Sequence, residues 1–115
     1  MTDITLSDKL TFEIMDRERS RSDFDWINID LCGTRIGKIR SVIDERRLII
    51  NSLYIFSEFK GRGYGAGIID KFKREFETII ADRVRPTARG FWRKMGFKNN
   101  HDGTYIWNNS SEGES

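Results

Sequence analysis

At 115 residues the chain has the length of one modest domain with room for a single core. Charged residues make up 33% of it, yet the formal net charge is only +2, which argues against a dedicated binder of nucleic acid or membrane surfaces. One cysteine excludes an internal disulfide, and with a single histidine it provides no metal cluster.

Residues 1–8 are polar and expected to be disordered. From Leu10 to Met15 apolar residues alternate: Leu10, Phe12 and Ile14 share one face, which predicts a strand. The charged run 16–23 (DRERSRSD) reads as a solvated hairpin connection. Residues 26–31 alternate again, and Cys32-Gly33-Thr34 is a turn signal. Cys32 is expected as a partly buried small hydrophobe and not as a nucleophile. Residues 36–43 form the next expected strand, with a tight turn at Asp44-Glu45-Arg46. The longest apolar run, 48–56, reads as a central strand. It turns nearly continuous at Leu53-Tyr54-Ile55-Phe56, which either burial on both faces or a local bulge produces.

Four glycines at alternate positions follow: Lys60-Gly61-Arg62-Gly63-Tyr64-Gly65-Ala66-Gly67. Behind them apolar residues fall at 68, 69, 72, 76, 79 and 80, which predicts a helix over 66–81. Residues 82–86 form an extended link, and Pro86-Thr87 opens a second, short helix over 88–95. Gly96 suits the position just past its end. A turn at 99–103 and a strand at 104–107 close the domain. Residues 108–115 are expected to be a disordered tail. No run approaches the ~20 apolar residues of a membrane span, and no signal-peptide pattern is present, so a cytoplasmic location is expected.

Glycines at a helix start let backbone amides approach an anion, and the unpaired N–H groups there carry partial positive charge. Lys60 and Arg62 add formal charge. The stretch therefore reads as a phosphate cradle. Its alternate spacing does not match G-x-G-x-x-G, and the antiparallel meander before it argues against a βαβ dinucleotide unit. Gly67-Ile68-Ile69 also lacks the Lys-Ser/Thr ending of a nucleotide P-loop.

A second stretch narrows the ligand. Ala88-Arg89-Gly90-Phe91-Trp92-Arg93-Lys94-Met95-Gly96-Phe97 resembles the short-helix motif of the GNAT N-acetyltransferase superfamily. The glycine loop resembles that family's Arg/Gln-x-x-Gly-x-Gly/Ala motif, in a register beginning at Lys60 or at Arg62. The Lys60 register leaves residues 53–57 where the family's central strand runs. The resemblance covers residues 24–107. It implies an α+β fold with a mixed, mostly antiparallel sheet, a long cofactor-binding helix and a second short helix. It also implies acetyl-CoA as cofactor, with no metal. The pantetheine arm would pair with the edge of Leu53, Tyr54 and Ile55. Lys60, Gly61, Arg62, Gly63, Tyr64, Gly65 and Ala66 would hold the pyrophosphate. Phe91 would wall the thiol end, Trp92 would be core or cofactor wall, and a backbone N–H near Ile55 would polarise the thioester.

The chain departs from the family in three places. Trp92 stands where many relatives carry a proton-donating Tyr, and an indole N–H is a far poorer acid. The central run lacks the Glu that serves some relatives as base; Tyr54, Glu58 and Tyr105 are the remaining candidates for proton transfer. Residues 16–23 are too short for the two helices that relatives place between the first two strands. The acceptor side is therefore expected to be open, which suits a protein or peptide amine. The readings that follow are an acetyltransferase acting on an amine, a non-catalytic acyl-CoA-binding module of the same fold, and, disfavoured by the modest net charge, a nucleic-acid-binding module.

Overall fold

The computed structural model describes residues 9–109. The disorder expected for residues 1–8 and 110–115 lies outside the described residues. Four strands come first: β1 (Leu10–Met15), β2 (Asp25–Leu31), β3 (Thr34–Asp44) and β4 (Arg47–Ile55), each antiparallel to the next. Cys32 and Gly33 make the two-residue turn between β2 and β3, at φ 50° and 86°. Positive φ at both positions is what a tight hairpin with right-handed strand twist requires. Cys32 is exposed there, in contrast to the partial burial expected of it.

The connection between β1 and β2 is a one-turn helix, α1 (Arg17–Ser20), where the charge run suggested a loop. Asp16 caps it, accepting a hydrogen bond from Arg19 N at 2.8 Å. Asp25, buried at 3% exposure, fastens it to the sheet. Its carboxylate accepts from Arg17 N and from Ile43 N, both at 2.7 Å.

The helix expected over 66–81 is corrected. It runs as α2 (Tyr64–Glu75), and Thr78–Ala81 is a strand, β5, that pairs parallel to β4. Phe76 turns extended at φ −121° and ψ 147°. Glu77 N then donates to Arg46 O at 2.8 Å, which starts the ladder. The spacing of 76, 79 and 80 suited a helix, but Thr-Ile-Ile is β-branched and its burial alternates, so a short strand suits it better. β4, α2 and β5 thus form a βαβ crossover, contrary to the expectation drawn from the meander. The exclusion of a dinucleotide fold rests on the glycine spacing alone.

After a 3-10 turn (Pro86–Ala88) comes the short helix α3 (Arg89–Lys94). Gly96 at φ 87° ends it: Gly96 N donates to Arg93 O and Phe97 N to Trp92 O, each at 3.0 Å. This is the Schellman arrangement. β6 (Lys98–Asn99) and β7 (Tyr105–Asn108) form the last hairpin. Its turn is fastened by Asp102, which accepts from Thr104 Oγ1 at 2.6 Å and Thr104 N at 3.0 Å. Those bonds hold the Asp102 carboxyl below its ordinary pKa. Asn108 belongs to β7, and Asn109 N donates to Glu77 O at 2.8 Å, so the ordered chain reaches further than the expected start of the tail.

The seven strands form one sheet in the order β1-β2-β3-β4-β5-β7-β6, an α+β architecture as expected. One face carries Leu10, Ile27, Ile29, Ile39, Leu48, Ile50 and Ile79, all buried, against Ile68, Ile69 and Phe72 of α2. Each such side chain contributes about 1.5–3 kcal/mol by leaving water. Lys73 of α2 donates to Met95 O, which ties α2 to the end of α3 on that same side. The opposite face carries Trp26, Lys38, Arg40, Ser52 and Tyr54, part-buried to exposed.

Candidate active site

Parallel pairing of β4 with β5 stops early. The register runs only from Arg47↔Thr78 to Ile50↔Ala81. Asp82 N still donates to Ile50 O at 2.9 Å, but Val84 N bonds instead to Gly103 O, so the chain has turned away. Residues 52–55 of β4 keep their β3 partners and have an open edge on the other side. Phe56 N donates back to Ile36 O at 2.9 Å. Backbone groups alternate in direction along a strand, so the N–H groups of Ile55 and Leu53 point into the gap. A register shift between Arg40 and Ser41 accompanies the opening. With Asn51 unpaired in the β3 register, it moves the inward positions from 48 and 50 to 53 and 55, and the 48% exposure of Tyr54 excludes burial on both faces.

A cleft of about 280 Å³ occupies this gap. Leu53 and Ile55 line it from the strand, and Phe91 of α3 lines it from the far side. Lys60, Gly61 and Gly63 form its loop wall, and Tyr64 and Gly65 bring in the start of α2. Gly61 and Gly63 take φ of 76° and 79°, a region other residues enter at a cost, which is why glycine stands at both. Gly63 caps α2 with no side-chain hydrogen bond. The first amides of the helix are thus free of a capping side chain at the mouth of the cleft. A Cβ on Gly65 would stand 3.4 Å from the Phe91 ring, an ordinary contact, so a side chain can start here at the cleft wall.

The expected cofactor residues therefore divide. Leu53, Ile55, Lys60, Gly61, Gly63, Tyr64, Gly65 and Phe91 line the cleft. Arg62 is exposed beside it and Ala66 packs part-buried against the core, neither lining it. Trp92 does not wall the cleft. It is 6% exposed, with its ring 5.0 Å from Phe91 and 4.8 Å from Phe97, and it fills the core beneath α3. Phe59, which the loop motif did not single out, also lines the cleft.

The three proton-transfer candidates are not brought together. Tyr54 projects to the opposite face, its ring 5.7 Å from Phe56 and 5.7 Å below Lys60 Nζ. Glu58 is exposed in the 3-10 turn Ser57–Phe59 and does not line this cleft. Tyr105 is 2% exposed on β7, opposite Ala81, and its hydroxyl has no hydrogen-bond partner. It is a core residue.

A second recess, of about 420 Å³, lies on the other side of β4, formed by Trp26, Lys38, Arg40, Ser52 and Tyr54. The sequence reading missed it. Period two places Lys38 with Arg40 and Ser52 with Tyr54, but only the register Trp26↔Arg40↔Ser52 and Lys38↔Tyr54 brings the two pairs beside one indole.

No protein-family model matches the sequence, and no curated protein matches it. Solved structures do match in shape. An acetyltransferase from Thermus thermophilus superposes with a TM-score of 0.63 at 18% identity, over 79% of this chain and 69% of that one. The Bacillus subtilis N-acetyltransferase YlbP, in complex with coenzyme A, gives 0.57 at 19% identity over 77% and 70%. AtaTR bound with acetyl-CoA gives 0.60 at 14% identity over 90% and 96%. The chain has the fold of the GNAT N-acetyltransferases.

Proposed function

We propose that this protein is an acetyl-CoA-dependent N-acetyltransferase. The observation that carries the reading is the coincidence of two features at one place. The unpaired edge of β4 at Leu53 and Ile55 opens into the same cleft as the glycine-lined, uncapped start of α2. An amide-bearing pantetheine arm adds to the edge as an extra strand, and a pyrophosphate meets the amides at the helix start. Coenzyme A carries both groups in one covalently linked molecule. Coenzyme A and acetyl-CoA are bound by proteins of this fold, which supports the choice of ligand.

Acetyl-CoA supplies a thioester carbonyl that an amine attacks directly. The Ile55 N–H, aimed into the gap, is placed to donate to the carbonyl oxygen as charge builds there. Leu53, Phe59 and Phe91 offer the thioester arm an apolar wall to pack against. The cleft is lined by no carboxylate, so the amine's proton passes to solvent and the departing thiolate regains one from it. Acetyl-CoA turnover, followed as free thiol against a panel of amines, tests the reading. Amine-dependent thiol release is expected. Tight coenzyme A binding with no turnover on any amine would favour the second reading, an acyl-CoA-binding module. The scatter of Tyr54, Glu58 and Tyr105 is the observation on its side.

A further inference from the structure

We infer that the recess on the sheet face opposite the cofactor cleft is the acceptor site, and that it selects an amine whose molecule also bears an anionic group, a carboxylate or a phosphate. The inference rests on the acetyltransferase reading for its location and on this chain's own charges for its chemistry. Leu53 and Ile55 line the cofactor cleft while Ser52 and Tyr54, their strand neighbours, line the recess. The two cavities are separated by the thickness of one strand. That strand has no partner on its gap side beyond Ile50, so an amine bound in the recess reaches the thioester around the free edge of β4.

The charges in the recess are one-signed. Lys38 Nζ lies 5.4 Å over the Trp26 ring, and the Arg40 guanidinium lies 4.9 Å over the Phe24 ring. Neither pairs with a carboxylate among the described residues. The acidic side chains nearest in register are already engaged. Asp30 binds Arg35 Nε at 2.6 Å, and Glu13 accepts from Asn28 at 3.0 Å and Arg35 at 3.4 Å. Asn28, not an acid, stands opposite Lys38. Arg40 Nε is buried and has no hydrogen-bond partner. A buried donor of this kind costs free energy until an acceptor meets it. A guanidinium and an ammonium held two residues apart, each over an aromatic ring, match an oxyanion. They also repel a polycationic amine.

The test is calorimetry and turnover with four probes: glutamate, phosphoethanolamine, a short Asp-flanked lysine peptide, and ethanolamine as the control without an anionic group. Coenzyme A-loaded protein is expected to bind at least one anionic probe about tenfold or more tightly than ethanolamine. Arg40→Gln and Lys38→Gln are each expected to reduce that preference about tenfold. Which probe wins distinguishes a free carboxylate, a phosphate and an acidic peptide as the source of the anion. Equal affinity for ethanolamine and all anionic probes, or a preference untouched by Arg40→Gln in protein that still binds coenzyme A, overturns the inference. The same titrations on unloaded protein separate the two readings. Arg40-dependent anion binding without coenzyme A binding refutes the cofactor assignment alone. Coenzyme A binding without anion preference refutes the recess alone.

Discussion

Replacing Gly65 by Glu separates binding from folding because the two should move in opposite directions. Gly65 is the second residue of α2, does not take positive φ, and has room for a Cβ in ordinary contact with Phe91. Removing a glycine from a helix gains about 0.5–1 kcal/mol, and a carboxylate in the first turn adds about 0.3–1 kcal/mol. The folded state is therefore expected to gain about 1 kcal/mol, a rise in Tm of about 4–8 °C for a domain of this size. Gly65→Glu places that same carboxylate in the proposed pyrophosphate cradle. At about 5 Å and an effective dielectric of about 20, each pair of negative charges repels by about 3 kcal/mol. That alone weakens coenzyme A binding about 100-fold or more. Calorimetric titration gives the affinity and thermal unfolding the stability, on the same sample. Affinity within about threefold of the unaltered protein would refute the placement of the pyrophosphate at α2. A fall in Tm would refute the reading of Gly65 as a tolerant position.

Three further substitutions probe the frame of the site. Gly37→Ala drives a methyl to 2.4 Å from Tyr54 O, in the interior of the β3–β4 pair. It is expected to cost about 1–3 kcal/mol in urea unfolding and to weaken coenzyme A binding by displacing β4. Asp25→Ala strands the Arg17 and Ile43 amides. About 2–3 kcal/mol of stability should be lost, with coenzyme A affinity unchanged in protein that remains folded. Tyr105→Phe removes a buried hydroxyl that has no partner, so stability should hold or rise by up to about 1 kcal/mol. If Tyr105 transferred protons in catalysis, thiol release would instead fall sharply with stability intact.

Much of the frame was legible because strands advertise their period. Leu10, Phe12 and Ile14 are buried to successively smaller degrees along one face, and Cys32-Gly33 turns where the turn chemistry allows it. The glycine cradle was legible for a similar reason, since Gly61 and Gly63 adopt backbone angles that name their residue. β5 was not, because Phe76, Ile79 and Ile80 continue the helical spacing of α2 and only pairing with β4 and β7 makes them extended. Trp92 was placed beside the cofactor by motif position and Tyr105 was only a remaining proton-transfer candidate on the last strand; packing assigns both to the core. The basic recess depends on cross-strand register through a bulge, a property of strand pairs that no single stretch of sequence displays.

The most direct test of the account is a titration of isotopically labelled protein with coenzyme A, followed amide by amide. The account predicts saturable shifts at Leu53 and Ile55 on the open edge and at Gly61, Gly63 and Gly65 in the cradle. Shifts absent from these amides at saturation, or confined to the Trp26, Lys38 and Arg40 face, would contradict it.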